Sequence, residues 1–433
     1  MRDPARTDGA VIRDLPVSGE MIIWQNEHYP DIVKGGGGAR NTRHITASMA
    51  RAGAEVRILA RNVHGARIES SVIDGTPVTY YPRHWLSDRL WPIRGTVEAF
   101  LSHRVIGTVI HGSTLNFCID PEFVFVMKRV ARGVPVICRV EGTRAGDRAS
   151  WHSLLARPGD RGTGRRGLLS RLARFQDDEL NRRAWESSDG LIVKSRLILN
   201  ELVRWYVIGQ EKIRIIPNGV DFAHYANASV PSPVMDEIRR PPGAQAVAFV
   251  GRLSTVKNLA LLLRAFARVI RPTPPILLIV GEGEERNTLE DLARQLSISA
   301  RVRFLGHKDD VAPYLAAADV FVLPSLYETI ANCLLEAMSA GVPCIALRPD
   351  GKRIRTSSDE VISSEETGVL VDEDAEALAS AINAMLANPN AGKAMAERAQ
   401  ALVRARFDWD SCARAYVDFG RDLRSSDRKH VRA

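Results

Sequence analysis

Short apolar runs that break at a glycine or a polar loop and lead into a helical stretch recur along the chain, and this alternation constrains the fold more than any other feature. Met21-Ile22-Ile23-Trp24, Val56-Arg57-Ile58-Leu59, Thr108-Val109-Ile110, Val134 to Val140, Ala246 to Val250, Leu278-Ile279-Val280 and Val320-Phe321-Val322-Leu323 read as strands. Ile45 to Ala52, Ala260 to Ile270 and Ala331 to Ala340 read as helices, the last stopped by Gly341-Val342-Pro343. Strands joined through helices run parallel and are covered on both faces. With 433 residues and 45% hydrophobic content, the chain is long enough for two such cores. The expectation is an α/β protein of two doubly wound domains.

Composition places the boundaries. Residues 1 to 19 read as a loose N-terminal extension, 20 to 228 as the first domain and 229 to 243 as a linker, with Pro-rich pieces on either side of a short helix. The second domain spans 244 to 405, and 406 to 433 forms a last helix and a charged tail. No window has the apolar length of a membrane span, and the polar start lacks a signal peptide's apolar core, so the expected location is cytoplasmic. The five cysteines are scattered without metal-type pairs and read as buried small hydrophobes, with no metal expected.

One segment carries most of the chemistry. Directly after the run ending at Leu323-Pro324-Ser325, Glu328 and Glu336 stand with seven residues between them. Two helical residues eight apart diverge by about 80°, so a loop position for Glu328 and a helical one for Glu336 lets both reach one pocket. The helix start offers free N–H groups and partial positive charge to a phosphate, and carboxylates beside it accept hydrogen bonds from sugar hydroxyls. Upstream, the strand Ala246 to Val250 runs into Gly251-Arg252-Leu253 and then Lys257-Asn258 before a helix. Cations at a helix N-terminus oppose its dipole, and an anion held between Arg252 and Lys257 accounts for their placement. Two such cations stabilise a departing diphosphate without a metal.

Together these segments resemble the retaining glycosyltransferases of family 4, which share the GT-B fold of two Rossmann-like domains facing across a cleft. Ile215-Ile216-Pro217-Asn218-Gly219-Val220-Asp221, Leu278-Ile279-Val280-Gly281-Glu282-Gly283, Phe304-Leu305-Gly306-His307 and Thr367-Gly368-Val369-Leu370-Val371 are further family-like pieces in the expected order. The resemblance implies that Glu336 binds the nucleotide ribose, that Glu328 contacts the donor sugar, and that Arg252 and Lys257 serve the leaving diphosphate. It extends the donor site to Thr329, Ile330, Ala331 and Asn332 at the helix start and to Gly283, Gly306 and His307. In the first domain it implies a cleft lined by the glycine loop with Gly36 and Gly37, and it brings the last helix back onto that domain. His111 and Glu141, read as polar residues at strand ends, are further cleft candidates. Three departures from the family pattern stand out. Ile330-Ala331 replaces a common Phe-Gly, which strains Ala331 if a positive φ is needed there. Glu141 stands where relatives commonly place a histidine, and Arg348 to Arg355 is unusually long and basic.

The expectation is a retaining, metal-independent enzyme without a cofactor that moves a sugar from a nucleotide-sugar donor to a glycan or lipid-linked acceptor, in polysaccharide or glycolipid biosynthesis. The family's favoured route is same-face substitution, in which the departing phosphate takes the acceptor's proton. Net charge is +8, and an arginine-rich stretch from Arg144 to Arg174 adjoins Leu168, Leu169, Leu172 and Phe175. That combination favours peripheral contact with an anionic membrane at its inner face. Nucleic acid is disfavoured because no aromatic-interleaved motif accompanies the charge. Two alternatives stay open: a GT-B sugar-nucleotide epimerase, and a non-catalytic sugar-nucleotide-binding partner subunit. A paired-carboxylate hydrolase is disfavoured because both glutamates follow one strand, and a nicotinamide dehydrogenase because no Gly-x-Gly-x-x-Gly follows the first strand.

Overall fold

The computed structural model describes residues 19–26, 32–62, 68–81, 99–143 and 178–430. The first sheet is built from β1 (Met21–Gln25), β2 (Glu55–Arg61), β3 (Glu69–Ile73), β4 (Thr76–Tyr81), β5 (Leu115–Cys118), β6 (Val136–Val140), β7 (Gly190–Val193) and β8 (Ile213–Ile215). Its order is β3-β4-β2-β1-β5-β6-β7-β8. All neighbours are parallel except the edge hairpin β3–β4. β5, β6 and β7 are buried at every residue, as strands covered on both faces must be.

The second sheet takes β9 (Ala246–Val250), β10 (Ile276–Val280), β11 (Val302–Gly306), β12 (Val320–Leu323), β14 (Cys344–Leu347) and β16 (Val369–Val371) in the order β11-β10-β9-β12-β14-β16, all parallel. β13 (Tyr327–Glu328) and β15 (Arg355–Thr356) pair separately. In each large sheet the first strand lies between its second and a later one, β1 between β2 and β5, β9 between β10 and β12. Strand order reverses there, which opens a crevice at the carboxyl ends of the strands.

The chain passes between the two sheets twice, and the two crossings touch. Val220 N donates to Phe407 O at 2.8 Å, and a Cβ on Gly219 would lie 2.5 Å from the Trp409 ring. Beyond Trp409, the helix Trp409–His430 lays Cys412, Ala413, Tyr416 and Val417 into the core of the first sheet. Trp24 stacks on Phe117 at 5.2 Å and meets Tyr416 at 5.5 Å. The returning last helix thus adds Tyr416 to an aromatic cluster with Trp24 and Phe117 in the first sheet's core.

Two sequence expectations change. Thr108-Val109-Ile110 is helical, within His103–Ile110, because Ile106, Val109 and Ile110 are the residues that face the core, a spacing of three and four rather than two. The helix expected from Ile45 instead spans Ile32–Arg51, so Gly36 and Gly37 lie inside its first turns and not in a loop. All five cysteines are free, and four of them are buried. Among the described residues no group of His, Cys, Asp and Glu forms a metal cluster, and no helix is long and apolar enough to cross a membrane. The arginine-rich stretch Arg144 to Arg174 and most of the N-terminal extension lie outside the described residues.

Candidate active site

The carboxyl end of β12 turns through Ser325 into β13 and then into the helix Asn332–Ser339. Glu328 sits in β13, and its Oε1 accepts from Lys257 Nζ and, at 3.0 Å, from Ser325 Oγ. The pair is largely buried, with 12% of the Glu328 and 19% of the Lys257 side chain exposed. Burial opposes the lysine's charge, but the Glu328 carboxylate outweighs it and holds the ammonium above its ordinary pKa. Arg252 lies close enough to Lys257 to repel it, is exposed, and has no ion-pair partner among the described residues. Glu336, one turn into the helix, is buried. That burial pushes its carboxyl pKa up, against Arg40 at 3.7 Å and the Tyr225 hydroxyl, which both favour the ionised form.

Ala331 is the helix N-cap, at φ −89°, and no side chain caps this end. The alanine is therefore unstrained, and the feared need for a positive φ does not arise. Ile330 and Ala331 are themselves buried in the second core, so their side chains serve packing. The first N–H groups of a helix have no intrahelical partner, and with no capping side chain they are open to an anion.

The first domain reaches this helix through a polar chain. Asn332 Nδ2 donates to Asn41 Oδ1 at 3.3 Å, and Asn218 Nδ2 donates to Asn332 Oδ1 at 2.9 Å. Arg139 Nη2 in turn donates to Asn218 Oδ1 at 2.6 Å, and Arg139 Nε lies 2.7 Å from Glu141. Glu141 also accepts from Lys194 Nζ at 2.8 Å. Although burial favours its neutral form, these two cations prevail and hold its carboxyl at about 2. Glu141 thus anchors Arg139, which is 1% exposed. Arg40, Asn41, Arg139, Lys194 and Tyr225 were not legible as site residues in the sequence, although Arg40 ends the glycine segment, Arg139 lies in the strand Val134 to Val140, and Asn218 lies in one of the family-like pieces.

Other candidates fall differently. A Cβ on Gly283 would lie 2.2 Å from Leu253 O, so this glycine lets two loops close on each other, joined by Leu253 N to Glu282 O at 2.9 Å. Gly306 ends the edge strand β11, and its carbonyl accepts from Gly281 N at 2.8 Å. His307 beyond it is 66% exposed and meets Asp309 at 3.5 Å, with no ion pair or hydrogen bond to Glu328, Glu336 or Lys257. His111 is a correction. It follows a helix, not a strand, and precedes β5, whose start pairs with the start of β1. It therefore lies at the amino ends of the strands, opposite the crevice.

Residues 36–219 match the family described as glycosyl transferase 4-like domain, and residues 234–402 match glycosyl transferases group 1. The glycogen synthase of Mycobacterium tuberculosis is 28% identical over 426 residues, 91% of this chain and 92% of that one. The lipopolysaccharide core biosynthesis glycosyltransferase LpsE of Rhizobium meliloti is 35% identical over 179 residues, 41% of this chain and 50% of its own. Among solved structures, Anabaena HepE in complex with UDP and glucose superposes with a TM-score of 0.67 at 19% identity, covering 92% of this chain and 98% of that one. Two doubly wound domains, a cleft bounded by Glu328, Glu336 and Lys257, and both family matches agree: the chain belongs to the glycosyl transferases group 1 family, a family 4-type glycosyltransferase of GT-B fold.

Proposed function

We propose that this glycosyltransferase is retaining and metal-independent, and that it moves a sugar from a nucleotide-sugar donor to a glycan or lipid-linked acceptor. The observation that carries the reading is the convergence of Lys257–Glu328, Glu336 and an uncapped helix N-terminus at the carboxyl ends of β9 and β12. Glu336 accepts the ribose hydroxyls, exchanging Arg40 for them. The diphosphate lies against the N–H groups at Asn332 and Cys333, with Lys257 and Arg252 neutralising the charge that grows as the sugar–phosphate bond breaks. Among the described residues both side-chain hydrogen bonds to Glu328 fall on Oε1, which leaves Oε2 for a sugar hydroxyl. From there it offsets positive charge developing on the ring, without a covalent intermediate. Thr329 and the main chain of Ile330 and Ala331 border the sugar. The departing phosphate accepts the acceptor's proton on the same face. The UDP and glucose held by HepE support a nucleoside diphosphate donor, and LpsE and glycogen synthase support a glycan or lipid-linked acceptor. Peripheral membrane contact through Arg144 to Arg174 and a cytoplasmic location belong to the same proposal.

The test is a thermal-shift series with uridine, adenosine and guanosine diphosphates and their sugar conjugates, with and without EDTA, followed by anomer assignment of the product by NMR. A ligand at a hundred times its Kd stabilises the native state by about 2.7 kcal/mol. No shift with any nucleotide, loss of activity in EDTA, or an inverted product each removes a different part of the proposal.

A further inference from the structure

The basic segment Arg348 to Arg355 ends in β15, and β15 holds the main chain that carries Glu328. Tyr327 and Glu328 stand in register with Arg355 and Thr356. Arg355 N donates to Leu326 O at 2.8 Å, Ser357 N to Glu328 O at 3.0 Å, and Ser357 Oγ to Thr329 O at 2.9 Å. The Arg355 side chain leaves this domain. It forms an ion pair with Glu201, on the first-domain helix Arg196–Trp205, and the two side chains are 5% and 3% exposed. Thr143, just beyond β6, donates to the second Glu201 oxygen. The guanidinium lies 4.4 Å over the Trp205 ring and 5.8 Å from that of Tyr327. At the start of the same helix, Glu360 accepts from Arg196 N at 2.9 and 3.1 Å.

Burying two charges between domains is costly, so such a pair is weak evidence for stability and a better device for fixing geometry. A planar guanidinium held by a carboxylate and packed on an indole has a defined orientation that a lysine does not reproduce. We propose that Arg355 is a positioning residue for Glu328: through Glu201 it makes the placement of the β13 carboxylate depend on the first domain being seated against the second. Chemistry then waits for the closed cleft, while nucleotide binding, which uses groups of the second domain, does not. The inference rests on the reading of Glu328 given under Proposed function.

The experiment measures kcat for donor turnover and Kd for the nucleoside diphosphate by calorimetry, in the full chain. It compares wild type with Arg355→Met, Arg355→Lys, Glu201→Gln and the double variant Glu201→Gln/Arg355→Met, using the uridine, adenosine and guanosine diphosphates and their glucose conjugates. Arg355→Met and Glu201→Gln should each lower kcat about a hundredfold, the scale of a small misplacement at a reacting centre, with Kd unchanged. The double variant should be no worse than either single one, and Arg355→Lys should recover part of the loss. If Arg355→Met does not fold, Arg355→Lys and Glu201→Gln carry the same comparison. Wild-type turnover with variants that match it in kcat, or that lose kcat only in step with Kd, overturns the inference and leaves the site reading intact. A wild type that binds none of the nucleotides removes both.

Discussion

Replacing Glu141 by Gln asks whether this carboxylate anchors Arg139 or meets the sugar. A carboxyl held at about 2 in place of 4.5 stabilises the folded state by about 3 kcal/mol when ionised. Because 29% of its side chain is exposed, water screens part of this, and about 2 kcal/mol is the expected loss in Glu141→Gln at pH 7. For a domain of this size that lowers its Tm by about 4–8 °C. The pH dependence has a definite sign. The folded value is depressed, so the stabilisation is fully present above about 4.5 and disappears as pH falls towards 2, and the gap between wild type and variant should close over that interval. Tryptophan fluorescence during urea unfolding is the assay, since Trp24 and Trp409 report the first domain's core. Turnover in the folded variant should fall less than tenfold, because the Arg139–Asn218–Asn332 chain is loosened and not removed. A loss of stability below about 0.5 kcal/mol together with a hundredfold loss of kcat would refute the anchoring argument and place Glu141 on the sugar.

Glu336→Ala should weaken nucleotide binding, whereas Glu328→Gln should act chiefly on kcat, because a ribose contact is made in ground and transition states alike; near-wild-type kinetics in both would end the site assignment. Gly283→Ala should cost about 1–3 kcal/mol in chemical denaturation, since its Cβ meets the Leu253 carbonyl at 2.2 Å and that backbone is hydrogen-bonded in place; an unchanged midpoint would show that the two loops slide apart freely. Sedimentation with anionic liposomes should fall when Arg165, Arg166, Arg171 and Arg174 become Gln, each arginine near such a surface being worth about 1 kcal/mol and screened by salt. Equal sedimentation, or none at low salt, turns the acceptor question towards soluble glycans.

What the sequence determined by itself is what depends on neighbours along the chain. Apolar runs ending in glycine or polar loops define strands of parallel sheets, and the units Val320 to Ala340 and Ala246 to Ile270 each contain their strand, loop and helix. Glu328, Glu336, Arg252 and Lys257 were therefore legible as groups at the strand-to-helix turns. Where periodicity was short it misled: three apolar-looking residues before His111 fit a strand or a helix, and only the burial of Ile106, Val109 and Ile110 together decides. The rest required the tertiary structure, because the partners are far apart in the chain. Lys257 finds Glu328, Arg40 and Tyr225 find Glu336, and Arg355 finds Glu201 only once two sheets have packed and the domains have met. Gly283 likewise needs no side chain because of a carbonyl thirty residues away. Local propensity encodes which residues form an element and which face it buries. Which distant charge is desolvated beside which is set by packing, and that is what tunes the carboxylates of this site.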